Sequence, residues 1–286
     1  GSRFVVISPV RDEVGHLEKS IRSMVRQTIR PTQWIVVNDG SKDATGAILD
    51  RWAQTEPWID VVHRADRGRR EPGKGVVEAF YDGFRRISAE WDFVVKLDGD
   101  LEFEPTYFEK CLAEFQADPK LGIAGGVICH RVNGALEPEP NPAFHVRGAS
   151  KIYRRGCWEQ IGGLLPIPGW DTADELKANM LGWSTRSIPH LLLEHQRFTG
   201  SAIGDWQNAI KNGMGSYVTG YHPLFMLLRC THQVFHRPYL VGSVGLLYGY
   251  VLGCLHRVPQ VADRDLIRYV RQQQLRRMLS SATVWK

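Results

Sequence analysis

The strongest constraint on this chain is a rhythm in its first half. Short β-branched or aromatic runs stand at Phe4–Ile7, Trp34–Val37, Ile59–Val62 and Phe93–Val95, each separated from the next by enough residues to hold a helix. Antiparallel strands can be joined by tight hairpins, but parallel strands need a crossover of about a dozen residues or more. The wide spacing therefore predicts a β-α-β-α order, an α/β fold with a mainly parallel sheet flanked by helices. Between these runs and beyond them, helical periodicity is visible. After Pro105, which suits a first helical turn, Phe108, Cys111, Leu112 and Phe115 recur at three- and four-residue steps and define one apolar face. They are core positions, not a cofactor-binding box.

In an open sheet of this kind ligands collect beyond the carboxyl ends of the strands. Three polar clusters fall there: SPVRDE at 8–13, NDGSKDAT at 38–45 and DGD at 98–100. Each alone is ordinary loop chemistry; the repetition of acidic loops after successive strands is what points to a site. In the last cluster Asp98 and Asp100 are separated only by Gly99, and residues two apart on an extended chain point to the same side. Two like charges there repel unless a cation or a hydrogen-bond network is shared between them. A calcium loop counted from Asp98 is excluded, because its sixth position is Phe103 where a glycine is required.

Composition narrows the classes. With 286 residues, 43% hydrophobic and 23% charged, the chain is long and apolar enough for one large domain or a domain with an appendage. Its 36 basic against 31 acidic residues leave +5, which suits an anionic ligand or membrane surface. No basic stripe interleaved with aromatics accompanies it, so nucleic acid is not an expected partner. Five widely spaced cysteines without a CxxC pair argue against a zinc or redox site and fit a reducing, cytoplasmic setting.

The segments FVVISPVRDEVGHLEKSI, WIVVNDGSKDAT, FVVKLDGD and GWDTADELKANMLGW, in this order and at this approximate spacing, resemble the family 2 glycosyltransferases of the GT-A fold. These are inverting enzymes that move a sugar from a nucleotide diphosphate to an acceptor. The resemblance spans about the first two hundred residues and implies a GT-A catalytic domain over 1–204. It implies that Asp39 hydrogen-bonds the nucleoside base, with the backbone around Pro9 and Glu13 walling the base pocket. Asp98 would reach the ribose or the metal, and Asp100 would coordinate the Mn2+ or Mg2+ that bridges the two phosphates, hard oxygen ligands suiting either ion. The departures are VRDE for the commoner Tyr-Asn-Glu, Asn38-Asp39 for a double Asp and Trp170-Asp171 for Glu-Asp; each keeps the aspartate that the chemistry requires.

By the same resemblance Asp171 is the expected catalytic base, with Asp174 in reserve. On a helix Asp171, Asp174 and Glu175 share one face, where mutual repulsion could raise one pKa. An acidic first turn favoured by the helix dipole would explain the same charges without chemistry. LEHQRFTGS at 193–201 stands where GT-A enzymes supply a late metal or diphosphate contact, making His195 a third metal ligand and Arg197 a phosphate contact, against a purely structural histidine. In the basic segment HRADRGRREPGKG at 63–75, Lys74 is the best candidate for a diphosphate contact at a helix start, against a solvated loop.

After Gly204 the resemblance fades. YLVGSVGLLYGYVLGCL at 239–255 carries no charge, and Gly245, Gly249 and Gly253 recur every four residues, a pattern that permits close helix packing in lipid or in a protein core. Asp263 to Ser281 mixes five arginines with apolar residues, as suits an anionic membrane face. Residues 205–286 are expected to form a helical region on the inner face of the cell membrane; a helical subdomain or the interface of a homo-oligomer is the alternative. The expected function is metal-dependent, inverting transfer from a nucleotide-sugar to a membrane-associated glycan or lipid, such as a polyprenyl-linked precursor of surface polysaccharide. The alternatives are a non-catalytic nucleotide-binding membrane scaffold and a sugar nucleotidyltransferase, whose glycine-rich amino-terminal loop is absent from SPVRDEVGH. A processive synthase is disfavoured because HQRFTG stands where QxxRW is expected.

Overall fold

The computed structural model describes residues 1–68, 73–197, 204–236, 238–279 and 282–284. Residues 69–72 of the basic segment, 198–203 after Arg197 and 280–281 at the end of the arginine-rich stretch lie outside it.

The chain order begins β1 (Phe4–Val10), α1 (Leu17–Val25), β2 (Gln33–Asn38), α2 (Thr45–Thr55), β3 (Ile59–His63), α3 (Lys74–Phe84) and β4 (Phe93–Leu97), so all four apolar runs lie within strands. These strands are parallel and adjacent in the order β3-β2-β1-β4. β1, β2 and β4 are mostly apolar because both faces are covered. From β1 and β2, Phe4, Val6, Trp34 and Val36 pack with Leu17, Ile21 and Met24 of α1, while Val5, Ile7, Ile35 and Val37 pack with Val77 and Phe80 of α3.

The second half is mixed. It comprises β5 (Leu101–Phe103), α4 (Tyr107–Ala117), β6 (Leu121–Val132), β7 (Ala135–Pro138), β8 (Ser150–Arg154), α5 (Arg155–Ile161), α6 (Trp170–Met180) and β9 (Ser184–His195). The sheet continues β4-β8-β6-β9-β5: β8 is antiparallel to β4 and β6, β9 is parallel to β6, β5 is antiparallel to β9, and β7 pairs with β6. α4 buries Tyr107, Phe108, Cys111, Leu112 and Phe115, the expected face, although it starts at Tyr107, two residues beyond Pro105. The strand order reverses its direction of growth at β1, placing a crevice at the carboxyl ends of β1 and β4.

Four helices follow: α7 (Asp205–Val218), α8 (Pro223–Gln233), α9 (Tyr239–Leu255) and α10 (Arg264–Met278), among the described residues. Their core, with Met226, Leu246, Tyr250, Leu266 and Val270, also takes in Phe144 and Leu176 from the preceding part of the chain. α9 meets α7 through its glycines. A Cβ at Gly249 would run into the Ile210 backbone, one at Gly245 would meet Ala209 and Trp206, and one at Gly253 would meet the Tyr217 ring. The opposite face of α9 is open, with Leu240, Val244, Tyr248, Val251 and Leu255 exposed. No described helix is long and apolar enough to cross a membrane.

Candidate active site

The polar loops at the strand ends brace one another. Ser41, Asp43 and Thr45, just after β2, accept from the backbone N–H groups of Asp12, Val14 and Glu13 at 3.0, 3.1 and 2.8 Å, and Asp12 accepts from Lys42 N at 2.8 Å. The loop residues that look generic in sequence thus fix Glu13 beside the exit of β4. There Gly99 leaves room for Val10, whose side chain a Cβ would strike. Gly40 (φ +69°) turns the β2 loop against the Asp66 backbone.

Asp98, Asp100 and His195 bring ligand atoms within 4.8 Å of one another. His195 Nε2 is 3.2 Å from Asp100 Oδ1, and Arg197 Nε donates to Asp100 Oδ2 at 3.1 Å while its other end pairs with Glu13. Burial by itself would raise the Asp100 pKa, but His195 and Arg197 overcome it and hold the group at about 2. Glu13 is pushed the other way, to about 7, by burial and by repulsion from Asp100, against the pull of Arg197. Asp98 is raised by burial and by Asp100, partly offset by Lys96. A carboxylate held ionised beside an imidazole, with His195 Nδ1 buried and unpartnered, is a donor set that fits a divalent cation. Arg197 and Lys96 stand among the same carboxylates and offset part of their charge.

Asp39, at the end of β2, accepts from Arg64 Nη1 at 2.5 Å and Arg67 Nη2 at 2.6 Å, and its backbone carbonyl accepts from Arg11 at 3.0 Å. Pro9 is half-buried in β1 opposite Val37. Lys74 does not touch Asp39: it opens α3 largely exposed, its ammonium 3.6 Å from Glu78, which also pairs with Arg67. The basic segment does reach the site, but through Arg64 and Arg67.

Asp171 joins the site from another direction. Lys96 is 2% exposed in the middle of β4 and donates to both Asp98 and the Gly148 carbonyl, the latter at 2.6 Å. A Cβ on Gly148 would lie 3.1 Å from Asp171 Cβ and 2.9 Å from the Trp170 ring, so Asp171 sits one backbone away from the Asp98 pair. Trp170 lies between two buried cations, with Lys96 and Lys151 ammonium groups each 5.6 Å from its centroid. Asp171 lines a cavity of about 640 Å³. Burial would raise its pKa, but His145, Lys151, Arg147 and Lys211 outweigh burial and keep it below the usual carboxylate range.

Asp174 differs although it is one turn away. It is 3% exposed and accepts from Lys151 Nζ at 2.8 and 2.9 Å and from the Tyr153 hydroxyl at 2.6 Å, with burial raising its pKa to about 6. Glu175, fully buried, accepts from Val146 N at 2.7 Å and pairs with His145 at 2.8 Å and Lys151 at 2.8 Å. These two carboxylates and Lys151 anchor α6 to β8. Lys96 stands inside an apolar run, a signal in the sequence that a buried anion awaits it; Lys151, in the polar run SKIYR, carries no such signal.

A sheet with this order, an Asp-Gly-Asp turn at the exit of β4 and a histidine arriving from β9 define a GT-A-type scaffold. A mannosyltransferase from Pyrobaculum calidifontis, solved with GDP-Man and Mn2+, superposes with a TM-score of 0.56 over 99% of this chain and 76% of its own, at 16% identity. The profile of glycosyl transferase family 2 matches residues 5–167, more than half of the chain, and the protein belongs to that family. Glycosyltransferase GlyA of Streptococcus pneumoniae is 29% identical over 123 residues, 42% of this chain and 16% of that protein. The undecaprenyl-phosphate mannosyltransferase of Micrococcus luteus is 27% identical over 111 residues, 38% of this chain and 43% of that protein. The chain thus spans less than half the length of these relatives.

Proposed function

We propose that the protein transfers a sugar, with inversion, from a nucleotide-diphosphate donor to a hydroxyl of a membrane-associated acceptor, residues 1–204 carrying the chemistry. The observation that carries this reading is the convergence of Asp98, Asp100 and His195 at the carboxyl ends of β4 and β9 in a chain of family 2. Asp39, oriented by Arg64 and Arg67, receives the base, with Pro9 and Glu13 bounding it. Arg197, already poised on Asp100, contacts the diphosphate. Mn2+ or Mg2+ held by Asp98, Asp100 and His195 would neutralise the charge that builds on the leaving diphosphate; the Mn2+ in the Pyrobaculum structure supports this choice.

Asp171 takes the proton of the acceptor hydroxyl as that oxygen attacks the anomeric carbon from the side opposite the diphosphate. The new C–O bond forms as the bond to the diphosphate breaks, its electron pair leaving with the phosphate oxygen. A carboxylate kept ionised by neighbouring cations is ready to accept this proton at neutral pH. Asp174 acts from beneath by holding Lys151 and α6 in place.

The exposed faces of α8 and α9, flanked by the exposed Arg264, Arg268 and Arg276 of α10, support docking on an anionic membrane surface. The decisive experiment is titration calorimetry with GDP and UDP in the presence of Mn2+, with nucleotide-sugar hydrolysis followed in parallel. Wild type binds one of these nucleotides and slowly hydrolyses its sugar conjugate, while Asp100→Ala loses the Mn2+-dependent part of binding. Binding that is indifferent to Mn2+ and to Asp100→Ala overturns the metal assignment.

A further inference from the structure

β6 and β9 carry a pair of histidines of which the Asp98–Asp100 cluster uses only one. β6 runs parallel to β9 with Cys129 opposite Glu194, which sets His130 beside His195, their rings 5.5 Å apart and inclined by 29°. Glu139, one residue past β7, returns to the same hairpin through its backbone N–H, which donates to the Ile128 carbonyl at 2.8 Å. His130, Glu139 and His195 each bring a ligand atom within 4.8 Å of the other two.

The hydrogen bonds around them fix the roles. His130 Nδ1 lies 3.2 Å from the His195 backbone carbonyl, an oxygen that can only accept, so Nδ1 carries a proton. In a neutral imidazole that leaves Nε2 as a lone pair. Yet Nε2 stands 2.6 Å from Glu139 Oε1, itself an acceptor. Two acceptors in contact repel unless a cation is shared between them, either a second proton on the ring or a metal ion. Glu139 Oε2 is taken by Arg147, through Nε at 2.6 Å and through Nη2, which turns Oε1 towards His130. A histidine whose far nitrogen donates to a carbonyl, and a carboxylate braced by hydrogen bonds, are the outer contacts that orient metal ligands. His195 adds the third group, its Nδ1 buried without a hydrogen-bond partner.

We infer that His130 Nε2, Glu139 Oε1 and a ring nitrogen of His195 form a second divalent-metal site beside the first, one that suits Zn2+ better than Mn2+. Two imidazoles and one carboxylate are a donor set that zinc accepts, with water as its fourth ligand, whereas manganese favours oxygen. No cysteine takes part, so the cysteine spacing carried no sign of it. The two sites share His195. A neutral imidazole binds an ion through one nitrogen while the other keeps its proton, so His195 serves one ion at a time. Zinc bound here withdraws His195 from Asp98 and Asp100 and opposes the ion that binds the donor. That antagonism, unlike the zinc site itself, rests on the reading of Asp98, Asp100 and His195 as the Mn2+ site.

The test is equilibrium dialysis of the full chain against Zn2+, with Mn2+-dependent binding of GDP and UDP measured on the same samples. Asp100→Ala, which dismantles the first site, is expected to keep Zn2+ binding. Adding His130→Gln or Glu139→Gln to it should cost about tenfold or more in zinc affinity, with thermal melting to confirm that each variant is folded. In the otherwise wild-type chain, Zn2+ should raise the Mn2+ concentration needed for half-maximal nucleotide binding by about tenfold or more. In His130→Gln that shift is lost, while nucleotide binding with Mn2+ alone is unchanged. Zinc binding that is absent from wild type, disappears in Asp100→Ala or survives in both folded double variants overturns the second site and leaves His130 holding a second proton. Zinc bound through His130 with no shift in the Mn2+ requirement, or a shift that persists in His130→Gln, overturns the antagonism. Nucleotide binding absent from wild type, with zinc binding intact, would instead defeat the donor-site reading.

Discussion

The sheet-bearing part of the chain and its four closing helices use hydrophobicity in opposite ways. In the first, apolar residues fill both sides of β1, β2 and β4, and the buried lysines Lys96 and Lys151 are held against carboxylates. In the second, the most apolar helix, α9, buries its glycines and leaves much of its leucine and valine outside. Close approach of backbones explains the inversion: α7 and α9 come together where no side chain intervenes, and that geometry turns the larger residues outward. High hydropathy therefore marks a core in one region and a surface for something else in the other.

The contrast can be broken at several points. If the polar edge of the sheet is the reaction centre, Asp171→Asn lowers transfer by about 10³-fold, read in a turnover assay, while nucleotide binding with Mn2+ is retained; transfer at wild-type rate would move the base elsewhere. The buried charges beneath it should behave as structure. Lys151→Met strands Asp174 and Glu175 without their shared cation and is expected to cost about 3–5 kcal/mol in denaturant unfolding; a loss near zero would show that Lys151 is dispensable.

Asp174 adds a pH signature. Its folded pKa of about 6 lies above that of an unfolded aspartate, so the native state binds the proton more tightly. The stability this gives is complete below the unfolded value near pH 4 and is lost as pH rises through about 6. Asp174→Asn lacks this titration, so from pH 4 to 7 the variant should gain on wild type by about 3 kcal/mol, measured as the difference between their unfolding free energies. A difference that stays flat would refute the shift.

Smaller effects separate the two faces of α9. Gly249→Leu forces a side chain into the Ile210 backbone and should destabilise by about 2 kcal/mol, visible in the melting temperature. Val244→Asn, on the open face, should change stability by less than about 0.5 kcal/mol yet reduce flotation with vesicles containing anionic lipid. Unchanged flotation would leave that face without its proposed membrane contact.

Much of this was legible in the residues themselves. Continuous β-branched runs, the one-sided pattern of α4 and the Asp-Gly-Asp turn are local signals, because strand runs and helix pitch are properties of short segments. Other features were hidden. Among the described residues of the basic segment it is Arg64 and Arg67 that pair with Asp39, since which cation faces it depends on how the loop after β3 folds back over β2. Arg147 and Arg229 are far apart in sequence yet line one cavity. Asp171 and Asp174, the expected base and its reserve, are separated by what packs on each: a cavity for one, Lys151 and Tyr153 for the other.

By itself the sequence determined the parallel strands, their helices and the family motifs at the strand ends, since these follow from spacing and side-chain type within short windows. Tertiary structure alone decided which charges pair, which carboxylate opens into the cavity and which face of α9 is covered. Those outcomes depend on distances between residues remote in the chain, and Coulomb and packing energies change steeply with such distances.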